Sequence, residues 1–292
     1  MTWNKNIWLI CLSMVCLFVA TQPGQAQDTA LLEEQKKTAV NLWKFVITQG
    51  LDPKVHETAN FLIVGTVDAK AMEAIGKAAE KITPTLRTNL EFDENEKIWE
   101  GRMVIHVAKT RAQFQMLFSK VKKSRPGNDE ISTFVHQERR SFILMGPMLN
   151  GTRKVSYEHD VIAQLASAML THRRDINLIP DWLVQGYGRS ELYRYAPRSF
   201  NQERVLAAQL LSQSKYNLNE LMAGNLGPME TQVLGASLAD FIFHSTFMEK
   251  YRPAILASLG LDGQPFDEAL KAAGIDRDYV NKAWVAWSKN PK

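Results

Sequence analysis

Strand-forming sequence is confined to the first half of this chain, and that limits its fold more than any other feature does. Two apolar, β-branched runs are each followed by a longer amphipathic stretch, and two shorter strand-like runs come after them. These runs and stretches are 60–67, 69–90, 102–108, 111–122, 133–136 and 141–145. Beyond Gly146-Pro147 only helical patterns recur, interrupted by proline and glycine.

This order predicts an α+β fold, in which a small N-terminal mixed sheet with helices precedes an all-helical C-terminal half. A cleft is expected where the two halves meet. The last two strand-like runs predict a hairpin. The predicted organisation is a signal peptide (1–26), a helical extension (27–58), a sheet-bearing subdomain (59–154) and a helical subdomain (155–292), with 59–292 forming one domain.

The first 26 residues have the pattern of a secretory signal peptide. Lys5 supplies a positive start, residues 7–20 are apolar, and Gly24-Gln25-Ala26 offers small residues for cleavage before Gln27. The apolar run is shorter than the roughly 20 residues that a membrane-spanning helix needs. The pattern therefore predicts export to a bacterial periplasm or to the exterior, with no membrane attachment after cleavage.

Cysteine and charge exclude several kinds of site. Both cysteines, Cys11 and Cys16, lie in the predicted signal peptide, so the mature chain is expected to have no disulfide, thiol nucleophile or cysteine-bound metal. The 35 lysines and arginines exceed the 31 acidic residues by four and are spread along the chain. This mild, scattered charge argues against a nucleic-acid partner. The oligomeric state stays open.

Histidine offers few metal sites. The segment from His56 to Asn60 begins like the zinc motif HExxH, but asparagine replaces the second histidine and the segment precedes a strand. His159 and His172 would lie about 20 Å apart along a continuous helix, too far to share an ion. Asp240 and His244 have i,i+4 spacing and are expected to make a local polar contact.

The order of elements resembles the peptidase-MA-like domains of secreted bacterial gluzincins, which are zinc metallopeptidases related in fold to thermolysin. That family has a strand, a long helix, a second strand with a short helix, a helix carrying HExxH, and then a W-L-x-E-G element whose glutamate is the third zinc ligand. The matching segments here are NFLIVGTV, GRMVIHVAKTRAQFQMLF, VIAQLASAML (161–170) and IPDWLVQGYGRS (179–190). The closing helices, with their tryptophan-bearing end, are similar as well.

The resemblance implies that the zinc site has been lost. The two histidines fall on Ala163 and Ser167, the general-base glutamate on Gln164, and the ligand glutamate on Gln185. Periodicity agrees with this register, because an apolar stripe along 161–170 leaves Ala163 and Ser167 together on a neighbouring face, which is expected to face the cleft. Neither an alanine methyl nor a serine hydroxyl supplies the nitrogen or carboxylate donors that catalytic zinc requires.

The sequence therefore predicts an exported, non-catalytic gluzincin-like protein, a pseudopeptidase without zinc. Its cleft is expected between the strand SFILMG (141–146) and the helices around Ala163 and Gln185, and it is expected to bind a peptide, by strand addition, or a protein ligand. Trp182 and Tyr187 are candidate cleft residues beside the lost ligand. Two alternatives stay open. One is an active zinc metallopeptidase or other hydrolase that uses Glu158, His159 or Glu191 after a local break in the helix. The other is a structural or interaction protein of the cell envelope.

Overall fold

The computed structural model describes residues 23–46, 52–137, 140–147, 156–172 and 174–290, with side chains from residue 30 onward. Most of the predicted signal peptide, residues 1–22, lies outside these ranges. Within them, no helix combines the length and the apolarity that crossing a membrane requires.

The described chain forms one five-stranded mixed sheet in the order β1-β2-β3-β5-β4. Strands β2, β3 and β5 run parallel, and β1 and β4 pair antiparallel to them at the two ends. The strands are β1 (Lys54–Glu57), β2 (Phe61–Gly65), β3 (Met103–Val107), β4 (Ser132–Val135) and β5 (Phe142–Met145). The predicted pairing of the last two is confirmed, with bounds that differ by one residue.

Helices occupy most of the remaining described chain, and the α+β class is confirmed. One helix comes before the first strand, two connect strands of the sheet, and eight come after the last strand. They are α1 (Pro23–Trp43), α2 (Ala69–Asn89), α3 (Arg111–Lys122), α4 (Tyr157–Leu170), α5 (Asp181–Tyr195), α6 (Pro197–Leu211), α7 (Leu218–Ala223), α8 (Pro228–His244), α9 (Arg252–Ser258), α10 (Phe266–Ala272) and α11 (Arg277–Ser288).

Strand β1 lies within residues 27–58, for which the sequence predicts a helical extension, so that prediction is wrong for residues 54–57. Its sequence, KVHE, is mostly exposed and carries no apolar alternation. The pairing with β2 fixes it as a strand, with His56 opposite Ile63. A strand held by its neighbour rather than by its own burial leaves little signal in the sequence.

The two faces of the sheet are buried by different helices. Because side chains alternate along a strand, Ile63 and Ile105 share one face with α2 and α4, whereas Leu62 and Leu144 share the other with α1 and α3. The first cluster of buried residues continues without a break through α5, α8 and α11. The sheet and the C-terminal helices therefore share one hydrophobic core.

Helix α5 is held closely between α4 and α8 by glycines. A β-carbon on Gly188 would lie 2.3 Å from the carbonyl oxygen of Ala163, and one on Gly186 would lie 2.4 Å from the carbonyl oxygen of Gly235. No side chain fits at such distances, so the helix backbones approach directly. This contact fixes the separation between the two helices on which the predicted zinc positions lie.

Candidate functional site

A cleft of about 680 Å³ lies between the sheet and the C-terminal helices. The beginning of β4 and residues 129–131 before it form one wall, and α4, α5, α6 and α8 form the rest. Of the four positions that the resemblance identifies as former zinc or base positions, Ala163, Gln164 and Gln185 line this cleft. The structure thus brings Gln185 on α5 together with Ala163 and Gln164 on α4, more than twenty residues earlier in the sequence.

Gln164 joins α4 to the edge of the sheet. Its side chain is buried, and Nε2 donates a hydrogen bond to the hydroxyl oxygen of Ser132 on β4 over 3.1 Å. Gln185, in contrast, is exposed at the mouth of the cleft. The two amides are therefore held differently: one is tied to the sheet, and the other is open to solvent.

Ser167 lies behind the cleft rather than in its lining. Its hydroxyl is 1% exposed and donates to the carbonyl oxygen of Val184 on α5 over 2.9 Å. A β-carbon on Gly188 would come within 2.5 Å of that hydroxyl oxygen. The serine therefore serves as a polar contact between α4 and α5, which differs from the cleft-facing position expected from the helical stripe.

The structure separates the two candidate cleft residues. Trp182 lines the cleft and makes an edge-to-face contact with Phe266, with ring centroids 5.4 Å apart. Tyr187 is fully buried and does not line the cleft; it packs against Phe243, and its pKa is raised well above its usual value by burial. Tyr187 is a core residue because α5 is covered on both sides, by α4 and by α8.

The side chains at the four positions that the resemblance assigns to zinc and its general base do not fit a zinc ion. Ala163 has no donor, the Ser167 hydroxyl is bonded to a backbone carbonyl, and Gln164 and Gln185 offer only neutral amide groups. Within the described parts of the chain, no group of three or more His, Cys, Asp or Glu residues is close enough to hold a metal ion.

The residues named for an alternative site have other partners. Helix α4 is continuous from Tyr157 to Leu170, and the His159 ring meets Phe200 edge to face, with its pKa lowered by burial. Glu191 is buried beside His244, whose Nε2 lies 3.0 Å from the carboxylate. Glu158 lies near the N-cap of α4, where the hydroxyl of Ser156 donates to it over 3.2 Å. No break in α4 brings these groups together.

The expected contact between Asp240 and His244 does not form. Asp240 accepts a hydrogen bond from Arg204 on α6 over 2.7 Å, and His244 faces Glu191 on α5. Both residues lie on α8, which packs against α5 and α6 on different sides, so each meets a charged partner across the helix interface. The i,i+4 spacing gave no information on these tertiary partners.

Sequence reasoning missed two buried acids in the cleft, Asp160 and Glu203. Asp160 lies one helical turn before Gln164 on α4, lines the cleft and is 7% exposed. Burial raises its pKa from 3.8 to about 7, against the lowering effect of Arg189. Acidic residues are common near the start of a helix, because the helix dipole stabilises negative charge there. Nothing in the sequence therefore distinguished Asp160 from an ordinary residue of a first helical turn.

No protein-family model matches this sequence, and no curated protein matches it significantly. The gluzincin relationship therefore stays a prediction that rests on the order of elements and on the residues at the cleft.

Proposed function

We propose that this chain is an exported, non-catalytic gluzincin-like protein whose cleft binds an extended peptide by strand addition along β4. The observation that carries the proposal is the position of β4, which ends the sheet and borders the cleft that Ala163, Gln164 and Gln185 also line. The strand expected at the cleft from the sequence, SFILMG, contains β5, which lies between β3 and β4 and therefore has no free edge. Adding a strand to an exposed sheet edge is a common mode of peptide binding.

The register of β4 leaves backbone groups directed away from the sheet. The carbonyl oxygen of Ile131 accepts from the amide of Gly146 over 2.7 Å, and the antiparallel register continues as Thr133 with Leu144. In such a ladder alternate residues bond to the partner strand. Ser132 therefore directs its N–H and C=O away from β5, and these are the groups that an added peptide strand would meet.

The residues of the cleft support binding without hydrolysis. Metal-assisted hydrolysis needs an ion that lowers the pKa of a water and a base that removes its proton. The amide of Gln164 takes up no proton near neutral pH, and its N–H group already donates a hydrogen bond to the hydroxyl of Ser132. Neither Ala163 nor Ser167 supplies a zinc ligand. A cleft of this kind can still bind a peptide through its shape and through the free edge of β4.

Binding can be tested with a library of fluorescent, extended peptides, using anisotropy and the purified protein. Ser132→Pro removes an outward N–H without removing a ladder bond to β5, and Ser132→Ala is the matched control that loses only the hydroxyl. We expect the proline variant to weaken peptide binding much more than the alanine variant does. Absence of binding by every peptide, or equal loss in both variants, would contradict strand addition.

Catalysis is tested separately by following cleavage of the same peptides by mass spectrometry, with and without added zinc. We expect every peptide to remain intact. Peptide cleavage that survives further purification and is abolished by substituting Glu191 or His159 would favour an active hydrolase and contradict the proposed function.

A further inference from the structure

Two buried acceptors in the cleft have no donor among the residues that the structure describes. The Oδ2 atom of Asp160 and the Oε1 atom of Gln164 are inaccessible to solvent, and neither has a hydrogen-bond partner among the described residues. The two residues are four apart on α4, so their side chains lie on one face about 6 Å apart at their β-carbons. Buried acceptors are normally satisfied, and two in one cleft indicate that a ligand supplies the donors.

The cleft is acidic as well as rich in acceptors. Five carboxylates and a single guanidinium, that of Arg189, are found among its described lining residues. That guanidinium donates two hydrogen bonds to Glu203, over 2.6 and 2.5 Å. Lys122 on α3 interacts electrostatically with Glu130 and Asp181. Arg189 therefore acts on Asp160 only through the field of its charge, and no ion pair to Asp160 forms among the described residues of the cleft.

We infer that Asp160 and Gln164 form a subsite for the cationic side chain, lysine or arginine, of a peptide bound along β4. An ammonium or guanidinium group carries several N–H donors and a positive charge, and it can satisfy a carboxylate and an amide oxygen together. Two protein oxygens are fewer than Ca²⁺ sites in proteins commonly supply among their six or more oxygen ligands. This inference rests on the proposed function and specifies which peptides the cleft prefers.

The direction of side chains at the sheet edge agrees with this subsite. Ser132 points toward α4, since its hydroxyl accepts from Gln164. Residues directly opposite each other in neighbouring strands have their side chains on the same face of a sheet. A peptide residue paired with Ser132 would therefore point toward α4 as well, where Asp160 lies one turn from Gln164.

The cost of ionising Asp160 supports the same conclusion. Burial raises its pKa to about 7, so its negative charge is unfavourable in the free protein near neutral pH. Among the described residues, Tyr157 on its own helix and Arg189 across the cleft interact electrostatically with it, and Arg189 is itself paired with Glu203. A cation bound at the subsite would stabilise the charged form and lower this pKa.

The test compares matched peptides that differ at one residue: lysine, N-acetyl-lysine of nearly the same shape, and glutamate. Binding of the purified protein to each is measured at pH 8 by anisotropy, for the natural chain, Asp160→Asn and the control Asp181→Asn, which changes an exposed acid in the same cleft. Asp160→Asn keeps the size of the side chain and removes a costly buried charge, so the variant is expected to fold.

We expect the natural chain and Asp181→Asn to bind the lysine peptide about tenfold or more tighter than the acetyl-lysine peptide, as a charge-assisted hydrogen bond implies. We expect Asp160→Asn to lose that preference while still binding the acetylated peptide. Equal binding of all three peptides, or a preference that survives Asp160→Asn, would overturn the subsite and leave strand addition intact. No binding of any peptide would overturn the proposed function itself.

Discussion

Gln164 and Ser132 are joined by a 3.1 Å hydrogen bond that ties helix α4 to the edge strand β4 across the wall of the cleft. In the gluzincin resemblance the first of these positions holds the general base. Here the side chain in that place connects two elements of the fold. The position has a structural role that can be measured.

Gln164→Ala removes this link and leaves the partly buried hydroxyl of Ser132 without this donor. A neutral hydrogen bond contributes on the order of 1 kcal/mol, so we expect the free energy of unfolding to fall by about that amount. Urea denaturation with a common m-value measures the change. Gln185→Ala is the control, because Gln185 is exposed, and a change within about 0.5 kcal/mol is expected there. Equal effects at both positions would contradict the structural role of Gln164.

The fold class followed from the sequence because buried strands and amphipathic helices leave periodic signals. The runs around β2 and β3 are almost wholly buried, so they are continuous and apolar, and α2 shows a clear apolar face. Strand β1 left no such signal, because it is exposed on most of its length and is fixed by pairing with β2. The periodicity of apolar residues along a sequence indicates which residues are buried, but it does not indicate which strands pair with each other.

The site was predictable only in part, for a related reason. Gln164 and Gln185 were placed through the motif resemblance, and the structure does bring both to the cleft. Tyr187 could not be assigned to a face, because α5 is buried on two sides and its apolar residues show no single stripe. The importance of Asp160 depends on which donors approach it in three dimensions, and no pattern along the chain carries that information.

The close contact between α4 and α5 predicts a severe effect at one glycine. In Gly188→Ala the new methyl would lie 2.3 Å from the Ala163 carbonyl oxygen and 2.5 Å from the Ser167 hydroxyl, so the helices would have to separate. We expect a loss of about 2–4 kcal/mol in the free energy of unfolding, the range for overpacked and strained core sites. Gly127→Ala is the control, since its nearest neighbour would be 3.8 Å away. A neutral Gly188→Ala in thermal unfolding would contradict this packing.

The raised pKa of Asp160 predicts that its ionisation destabilises the fold. Between about pH 4 and pH 7 the folded chain holds a proton that the unfolded chain has released, so the free energy of unfolding falls as the pH rises through this window. The difference between 3.8 and about 7 corresponds to an effect on the order of 4 kcal/mol. Asp160→Asn should therefore be more stable than the natural chain at pH 8 and similar to it at pH 4.

A buried histidine acts in the opposite direction and must be measured in parallel. Burial lowers the pKa of His106 from 6.5 to about 3, and its Nδ1 accepts from the indole of Trp43 over 3.1 Å. The stability that this provides is present above pH 6.5 and is lost as the pH falls toward 3. In Asp160→Asn this loss is no longer offset, so we expect a steeper fall in stability from pH 6.5 to pH 4 than in the natural chain. Parallel pH curves for the two proteins in urea would contradict the assignment.

Rebuilding the zinc site tests whether the scaffold has the gluzincin geometry. The variant combines Ala163→His, Gln164→Glu, Ser167→His and Gln185→Glu. Three of these positions already line one cleft, and Ser167 lies one turn from Ala163 on the same helix. We expect about one zinc ion per chain, with proton release on binding, measured by metal analysis and calorimetry.

The matched control omits Ser167→His and keeps the other three changes. Its incomplete set of ligands should bind zinc far more weakly, because a zinc site of this type needs three protein ligands with a water. The fourfold change replaces the hydroxyl bonded to Val184, so a loss of stability is expected in addition, and circular dichroism establishes that the variant is folded. A folded fourfold variant that binds no more zinc than the control would contradict the register from which the lost site was inferred. Zinc uptake by the variant would instead indicate that four side chains account for the difference between this cleft and a metal centre.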